Sequence, residues 1–289
     1  MQTPDVSIIV PTRDRPDALA GCLDAIEKQE GCGAFEIIVV DDGSKEQSRV
    51  AAIVARAPHA SLIRLDGRGP AVARNAGAEA ARAPILLFTD DDCQPRPTWA
   101  ACLAETLRKG DLDAVGGGIV DIRPASPYVL AMRAMGNAFA EARGNETIFI
   151  GSLNMGCRAD VFRDVPFDEH FPFASEDRDW SRRLIAKGYR MGRNLEALVM
   201  HTRQDSLADF LRRYERYGEG SYLFRKIHSG GRLAPTSVYA AGVRRAFGYG
   251  PRVGALAFLS QIATAIGFAR AARADRPRSQ RPRYDEDEV

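Results

Sequence analysis

Residues 85–95 read ILLFTDDDCQP, an apolar run that meets Thr89 and then three consecutive aspartates, Asp90, Asp91 and Asp92. Like charges repel, and carboxylates beside an apolar interior lose hydration, so this arrangement is costly to fold. A divalent cation would repay the cost. At Asp-x-Asp spacing one carboxylate can bind Mg2+ or Mn2+ and another a ribose hydroxyl, while a nucleotide diphosphate completes the metal shell. A second stretch, EIIVVDDGS, also closes an apolar run with carboxylates, Asp41 and Asp42. These can accept hydrogen bonds from a nucleobase or a ribose, or they can simply shape a turn and cap a helix. One solvated acidic turn would be unremarkable. Two, each ending an apolar strand, point to a site.

Three further stretches carry candidate groups. In GPAVARNAGAEAA, Arg74 offers a fixed fork of donors to a base or phosphate, among small residues that permit close packing. In SEDRDWSRRL, Ser175 reads as an N-cap, with Glu176 and Asp177 in the first turn, where the helix dipole favours negative charge. Asp177 shares the face of Trp180 and Leu184, so it is an inward-facing carboxylate and a candidate general base. Asp179, spaced for pairing with Arg183, is expected at the surface. His201 follows the last apolar run and is either a structural histidine, a metal ligand or a phosphate contact.

The elements that must position these groups follow from periodicity. VSIIV, FEIIVV, SLIRL and PILLF are short apolar runs that read as strands buried on both faces. Helical patterns at 16–29, 47–57 and 71–81 lie between them, which argues for βαβ crossovers and an α/β, doubly wound, mostly parallel sheet. Ligands bind such sheets at the carboxyl ends of the strands, where both acidic stretches fall. A helix is expected over RPTWAACLAETLRKG, a strand over DAVGGGIVDI, and a helix closed by Gly188 after Ser175. LEALVMH reads as a last strand, and residues 128–143 as either helix or loop.

Beyond that sheet, residues 206–227 form an amphipathic pattern rich in Arg and Tyr. Residues 253–269 are mostly apolar but fall short of the roughly 20 needed to span a bilayer. Arginines flank this segment on both sides, as suits an anionic membrane surface. Peripheral membrane contact is the reading adopted, with a core helix packed on the domain as the alternative. The division expected is a catalytic domain over 1–205, a helical extension over 206–273 and a disordered charged tail over 274–289.

Bulk properties narrow the function. With 40 Lys plus Arg against 38 Asp plus Glu, there is no electrostatic case for nucleic acid as a partner. The five cysteines are scattered and odd in number without a CxxC pair, which disfavours a disulfide framework or zinc site and suits a reducing compartment. No basic region followed by a long apolar core opens the chain, so a cytoplasmic location is expected, peripheral on the inner face of the membrane.

In order and spacing, SIIVPTRDRPDALAGCLDAI, EIIVVDDGS, GPAVARNAGAEAA, ILLFTDDDCQP, GSLNMGCRADVF and SEDRDWSRRL resemble the family 2 glycosyltransferases of GT-A (Rossmann-like) fold. The resemblance runs from about residue 5 to 205. It implies a nucleotide-diphosphate-sugar donor held by Pro11, Thr12, Arg13, Asp41, Asp42, Arg74 and Asp90, and Mn2+ or Mg2+ on Asp92. It implies His201 as a further metal ligand less firmly, and Asp177 as catalytic base supported by Glu176 and Asp179. The family pattern often carries Ala or Ser between the motif's acids, so Asp91 reads as a tolerated variation that adds charge. An ordinary pKa of about 4 would keep Asp177 ionised while it takes a proton from an acceptor hydroxyl in one inverting displacement. The acceptor is then a saccharide or lipid-linked saccharide. Two rival readings remain: a sugar nucleotidyltransferase, disfavoured because PTRDRPDA has no glycine-rich triphosphate loop, and a non-catalytic nucleotide-sugar-binding scaffold.

Overall fold

A computed structural model describes residues 3–143, 149–202, 206–228 and 235–275. The charged tail expected from 274 lies outside the described residues from 276 onward. In chain order the elements are β1 (Val6–Thr12), α1 (Pro16–Ile26), β2 (Phe35–Asp41), α2 (Gln47–Val54), β3 (Ala60–Arg64) and α3 (Pro70–Ala80). These are followed by β4 (Ile85–Thr89), β5 (Cys93–Pro95), α4 (Trp99–Arg108), β6 (Ala114–Asp121), α5 (Pro127–Arg143) and β7 (Asn154–Arg158). Then come α6 (Ala159–Asp164), α7 (Glu176–Ala186), β8 (Met191–His201), α8 (Leu207–Ile227), α9 (Thr236–Phe247) and α10 (Pro251–Ala274).

The strands form one mixed sheet in the order β3-β2-β1-β4-β7-β6-β8-β5, with helices on both sides. Strand alternation explains the two layers. Ile8, Val10, Ile37, Val39 and Leu87 face α1, α2 and α4 in one core cluster. Ile9, Leu86 and Phe88 face the other side, where α6 and α7 supply Phe162, Trp180 and Leu184. Both faces are therefore buried, which is why these strands read as unbroken apolar runs. SLIRL is the exception. As β3 it is the sheet's edge strand, and its Ser61 and Arg64 are exposed rather than buried on both faces.

Parallel pairing brings the carboxyl ends of the central strands to one edge. Thr12 is in register with Asp41, and β4 runs parallel to β1 on its other side. The sheet is not parallel throughout, because β7 inserts antiparallel between β4 and β6. The three-residue β5 pairs antiparallel with β8, setting Cys93 opposite His201. This short pairing decides where His201 goes.

Residues 128–143 are helical, within α5. Together α5, α8, α9 and α10 build a separate core cluster around Met135, Phe210, Tyr214, Ala246 and Leu256. Thus α5, from within the span expected as the catalytic domain, shares the core of the helical extension. The last helix runs 24 residues rather than 17, and by length and composition alone it could cross a membrane. It buries Val253, Leu256, Ala257 and Ala263 on one face and exposes Phe258, Leu259, Ile262 and Ile266 on the other.

Two glycines let α8 and α10 cross closely. A Cβ at Gly218 would overlap the Thr264 carbonyl, and one at Gly267 the Glu215 carbonyl. Gly218→Val and Gly267→Val should each cost roughly 1–3 kcal/mol by overpacking, read as a fall of several degrees in Tm. Gly136→Ala in α5 meets nothing nearby and should leave Tm unchanged or slightly raised.

Candidate active site

A cleft of about 1830 Å3 opens along the carboxyl edge of the sheet. Pro11, Thr12, Arg13, Asp42, Arg74, Asp90, Asp92, Glu176, Asp177 and His201 all line it. Asp41 and Asp179 do not.

The turn after β2 separates the roles of its two acids. Asp41 is buried and accepts a hydrogen bond from the Ser44 amide (2.9 Å), bracing the turn at Gly43, whose φ is +78°. Asp42 accepts from the amides of Arg68 (2.7 Å) and Gly69 (2.9 Å), and Arg13 lies 3.6 Å away. It thereby ties the N-terminus of α3 to the strand edge. The structural reading of this stretch is real for both residues, and only Asp42 also faces the cleft.

The three aspartates after β4 point in different directions. Asp90 is ion-paired with Arg74 at 2.6 Å. Asp91 is fully buried, accepting from the Thr12 hydroxyl (2.7 Å) and pairing with Arg15 (2.8 Å). Burial, opposed by Arg15 and reinforced by Asp92, pushes its pKa to about 7. Asp91 is therefore an interior group of the loop and not an added surface charge. Asp92 accepts from Arg15 at Oδ2 (2.8 Å) and sets Oδ1 3.3 Å from His201 Nε2.

Asp92 and His201 fit a divalent ion. Two neighbouring ligand atoms on an octahedral Mg2+ or Mn2+ lie about 3.0 Å apart when each bond is about 2.1 Å. A carboxylate oxygen with an imidazole nitrogen is a donor set for such an ion. Cys93 sits close to both, but burial first, and then Asp90 and Asp92, push its thiol well above the ordinary range, which favours the protonated form.

The start of α7 supplies the other wall. Ser175 occupies the N-cap position as expected, but with a left-handed backbone (φ 75°) and without a side-chain capping hydrogen bond. The Arg74 guanidinium bonds Glu176 Oε1 at 2.9 Å as well as Asp90, so one buried cation joins β4 to α7. Asp177 is half-buried at the cleft, accepting from the Arg178 amide (2.8 Å) and the Ser152 amide (3.4 Å). Burial first, and the Glu176 charge second, push its pKa to about 7 against the pull of Arg74. The ordinary value expected from sequence does not hold here. Asp179 is not a surface acid either. It is fully buried between Arg183 (2.7 Å) and His228 (2.7 Å), a partner 49 residues away.

Two contributors escaped the sequence reading. Arg15 bridges Asp91 and Asp92, and its signal was its place two residues after Arg13 in PTRDRP. Asn154, in GSLNMGC, donates to the carbonyls of Gly118 (2.8 Å) and Ala197 (2.9 Å) and accepts from the Trp99 indole (2.7 Å). It pins the floor of the cleft.

The fold and cleft define the GT-A class. Residues 7–165 match the family model described as glycosyl transferase family 2, and the chain belongs to that family. It is 27% identical over 226 residues to glycosyltransferase AglE of Haloferax volcanii, covering 75% of this chain and 73% of that one. It is 29% identical over 222 residues to the pre-mycofactocin glycosyltransferase of Mycobacterium tuberculosis, covering 74% of this chain but only 46% of the relative. Among solved structures, mannosyltransferase PcManGT of Pyrobaculum calidifontis, in complex with GDP-Man and Mn2+, shares the fold with TM-score 0.58 and 20% identity, over 96% of this chain and 77% of that one. S. aureus TarS 1-349 does so with TM-score 0.52 and 16% identity, over 95% and 93%.

Removing Arg74 would leave the buried Glu176 and the half-buried Asp90 without their cation. Arg74→Ala should therefore lose roughly 3–5 kcal/mol in urea unfolding, whereas Arg68→Ala, at an exposed pair with Glu169, should lose no more than about 1 kcal/mol.

Proposed function

We propose that the chain transfers a sugar from a nucleotide-diphosphate sugar to an acceptor hydroxyl, with inversion, in the synthesis of a cell-envelope or extracellular polysaccharide. The observation that carries this reading is the shared cleft. It holds a half-buried carboxylate, Asp177, together with the Asp92–His201 pair.

Pro11, Thr12, Arg13 and Asp42 would cradle the nucleoside, with Asp41 bracing the turn beneath it and Asp90 reaching the ribose. Arg74 holds Asp90 and Glu176 in place and keeps its charge, because the two acids outweigh its burial. Asp92 and His201 would hold Mn2+ or Mg2+. When bound, that ion would neutralise the diphosphate as it leaves. Asp177 then takes the acceptor's proton at its carboxylate. A pKa near 7 makes it a better-matched base than an ordinary aspartate, at the cost of being half protonated at neutral pH. Glu176 and Asp179 support it by fixing α7. The PcManGT complex with GDP-Man and Mn2+ supports this donor class, and the relatives' glycosyltransferase names support the reaction.

The acceptor in this reading is a saccharide or lipid-linked saccharide, and the enzyme is cytoplasmic, peripheral on the inner membrane face. The catalytic unit spans 1–205, with 206–273 as its helical extension. The exposed apolar face of α10, with Phe247 at the end of α9 and Arg244 and Arg252 nearby, supports membrane contact. A small apolar cavity lined by Tyr239, Val243, Phe247 and Phe258 lies on the same surface.

Release of nucleoside diphosphate from UDP-, GDP- and dTDP-sugars should occur with one donor class and vanish with EDTA or with Asp92→Ala. Asp177→Asn should keep nucleoside diphosphate affinity within twofold while lowering turnover by roughly 10²–10⁴-fold. In a flotation assay the purified protein should rise with phosphatidylglycerol vesicles and less so with purely zwitterionic ones. Equal recovery in the bottom fraction with both would remove the membrane element of the proposal.

A further inference from the structure

Helix α8 is gripped on two sides. Toward α10 it presents Gly218, Glu215 and Glu219, with Arg270 at 3.2 and 3.5 Å from the two acids. Toward α7 it presents Gly220, Phe224 and, at its C-cap, His228, which recur every four residues and so share one stripe. Each of these three meets the short stretch that carries the proposed base. A Cβ at Gly220 would lie 2.4 Å from the Ala174 carbonyl oxygen and 2.8 Å from the Ser175 hydroxyl. Phe224 is buried, with the Arg178 guanidinium 4.0 Å over its ring. His228 places Nε2 2.7 Å from Oδ1 of the fully buried Asp179. Glu176 and Asp177 lie between these contacts.

This turn needs holding from outside. The left-handed backbone of Ser175 (φ 75°) is costly for a serine, and no side-chain cap bond closes the helix end. Arg183, on α7 itself, already pairs with Asp179 Oδ2 at 2.7 Å, so charge balance alone does not call for His228. What His228 adds is a fixed point on another helix. With a carboxylate as acceptor its Nε2 is the donor, and the ring packs against Phe224 at 4.7 Å between centroids, which limits where that donor points. Successive helical residues turn by about 100°, so Asp177 and Asp179 stand roughly 200° apart on nearly opposite faces of α7. A roll of the first turn that moves Asp179 off His228 therefore swings Asp177 across the cleft.

We infer that His228 is a positioning residue for the reaction: through Asp179 it fixes the roll of α7 and hence the aim of the Asp177 carboxylate. The inference rests on the transferase reading above and adds to it a residue of the helical extension, beyond the 1–205 unit.

The full chain would be compared with His228→Ala, His228→Gln and, at the same helix end, Ile227→Ala, whose side chain is 44% exposed. Amide hydrogen exchange would be followed by mass spectrometry over residues 174–180 and over β1 and β2. Turnover would be read as nucleoside diphosphate released at saturating donor, and donor-site affinity as calorimetric binding of UDP and GDP with Mn2+. In His228→Ala, exchange over 174–180 should quicken roughly tenfold or more while β1 and β2 keep their wild-type rates. Turnover should fall roughly 10–100-fold, with nucleoside diphosphate affinity within about twofold. A Gln amide can donate from near the position of the imidazole Nε2, so His228→Gln should return both readouts to within about threefold of wild type. Ile227→Ala should match wild type. Unchanged exchange and turnover in His228→Ala would overturn the inference, as would an equal loss in His228→Gln. An equal loss in Ile227→Ala would also overturn it by assigning the effect to fraying of α8, and faster exchange in β1 and β2 would do so by showing general destabilisation. If the wild type releases nucleoside diphosphate from no donor, the transferase reading fails separately, and the exchange rates alone decide whether His228 holds the turn.

Discussion

The buried guanidinium of Arg74 is the constraint around which the cleft is arranged. It is 4% exposed and bonds both Asp90 at the end of β4 and the buried Glu176 at the start of α7. A buried charge is tolerated only when paired and hydrogen-bonded, so the position of Arg74 dictates that of both walls. Small residues in α3 let it approach the sheet closely, with a Cβ at Gly77 already in conflict with Ile9. The helix can deliver a long cation to the strand edge because nothing bulky holds it away.

That clamp also sets the chemistry of its neighbours. Glu176 is bonded to Arg74 beside it, and burial first and the neighbouring Glu176 charge second favour the protonated form of Asp177. Arg74 opposes them without winning. Asp92 lies outside this circuit, sharing Arg15 with Asp91 and approaching His201 through the β5–β8 pairing. The acids of the cleft thus belong to two separately paired groups, and the proposed function assigns proton transfer to one and a cation to the other. The three aspartates raised the question of what repays their burial. Part of the answer is internal: Arg74 takes Asp90, Arg15 is shared by Asp91 and Asp92, and the Thr12 hydroxyl donates to Asp91.

Much of this was legible in the sequence, and for a physical reason. Strands covered on both faces must be apolar at every position, so β1, β2 and β4 announced themselves, and the acids that follow them were bound to share an edge. His201 and Asp177 could be nominated from their positions at element ends. The rest depended on contacts distant in the chain. β7 carries Asn154 and Arg158 at its ends and a glycine within, so it lacks the apolar run of its neighbours. The burial of Asp179 rests on His228, which no local pattern connects to it. Ser175 stands at the N-cap its residue type suggests, yet with a left-handed backbone its side chain makes no capping bond. The raised pKa of Asp177 required knowing how deep the residue lies and which charge stands beside it, and a sequence supplies neither.

The central claim is that one aspartate, tuned upward by burial and by Glu176, is the base of the reaction. The pH dependence of kcat/KM tests it most directly, because that profile reports groups of the free enzyme. It would be measured with the accepted donor at saturating Mn2+. A raised acid is deprotonated only above its own pKa, so activity should rise about tenfold per pH unit below an inflection near 7 and level off above it. Asp177→Glu should retain a measurable rate with a displaced inflection. A profile already flat from about pH 5 upward would place the base in the ordinary carboxylate range. It would contradict the account of how Arg74, Glu176 and Asp177 work together.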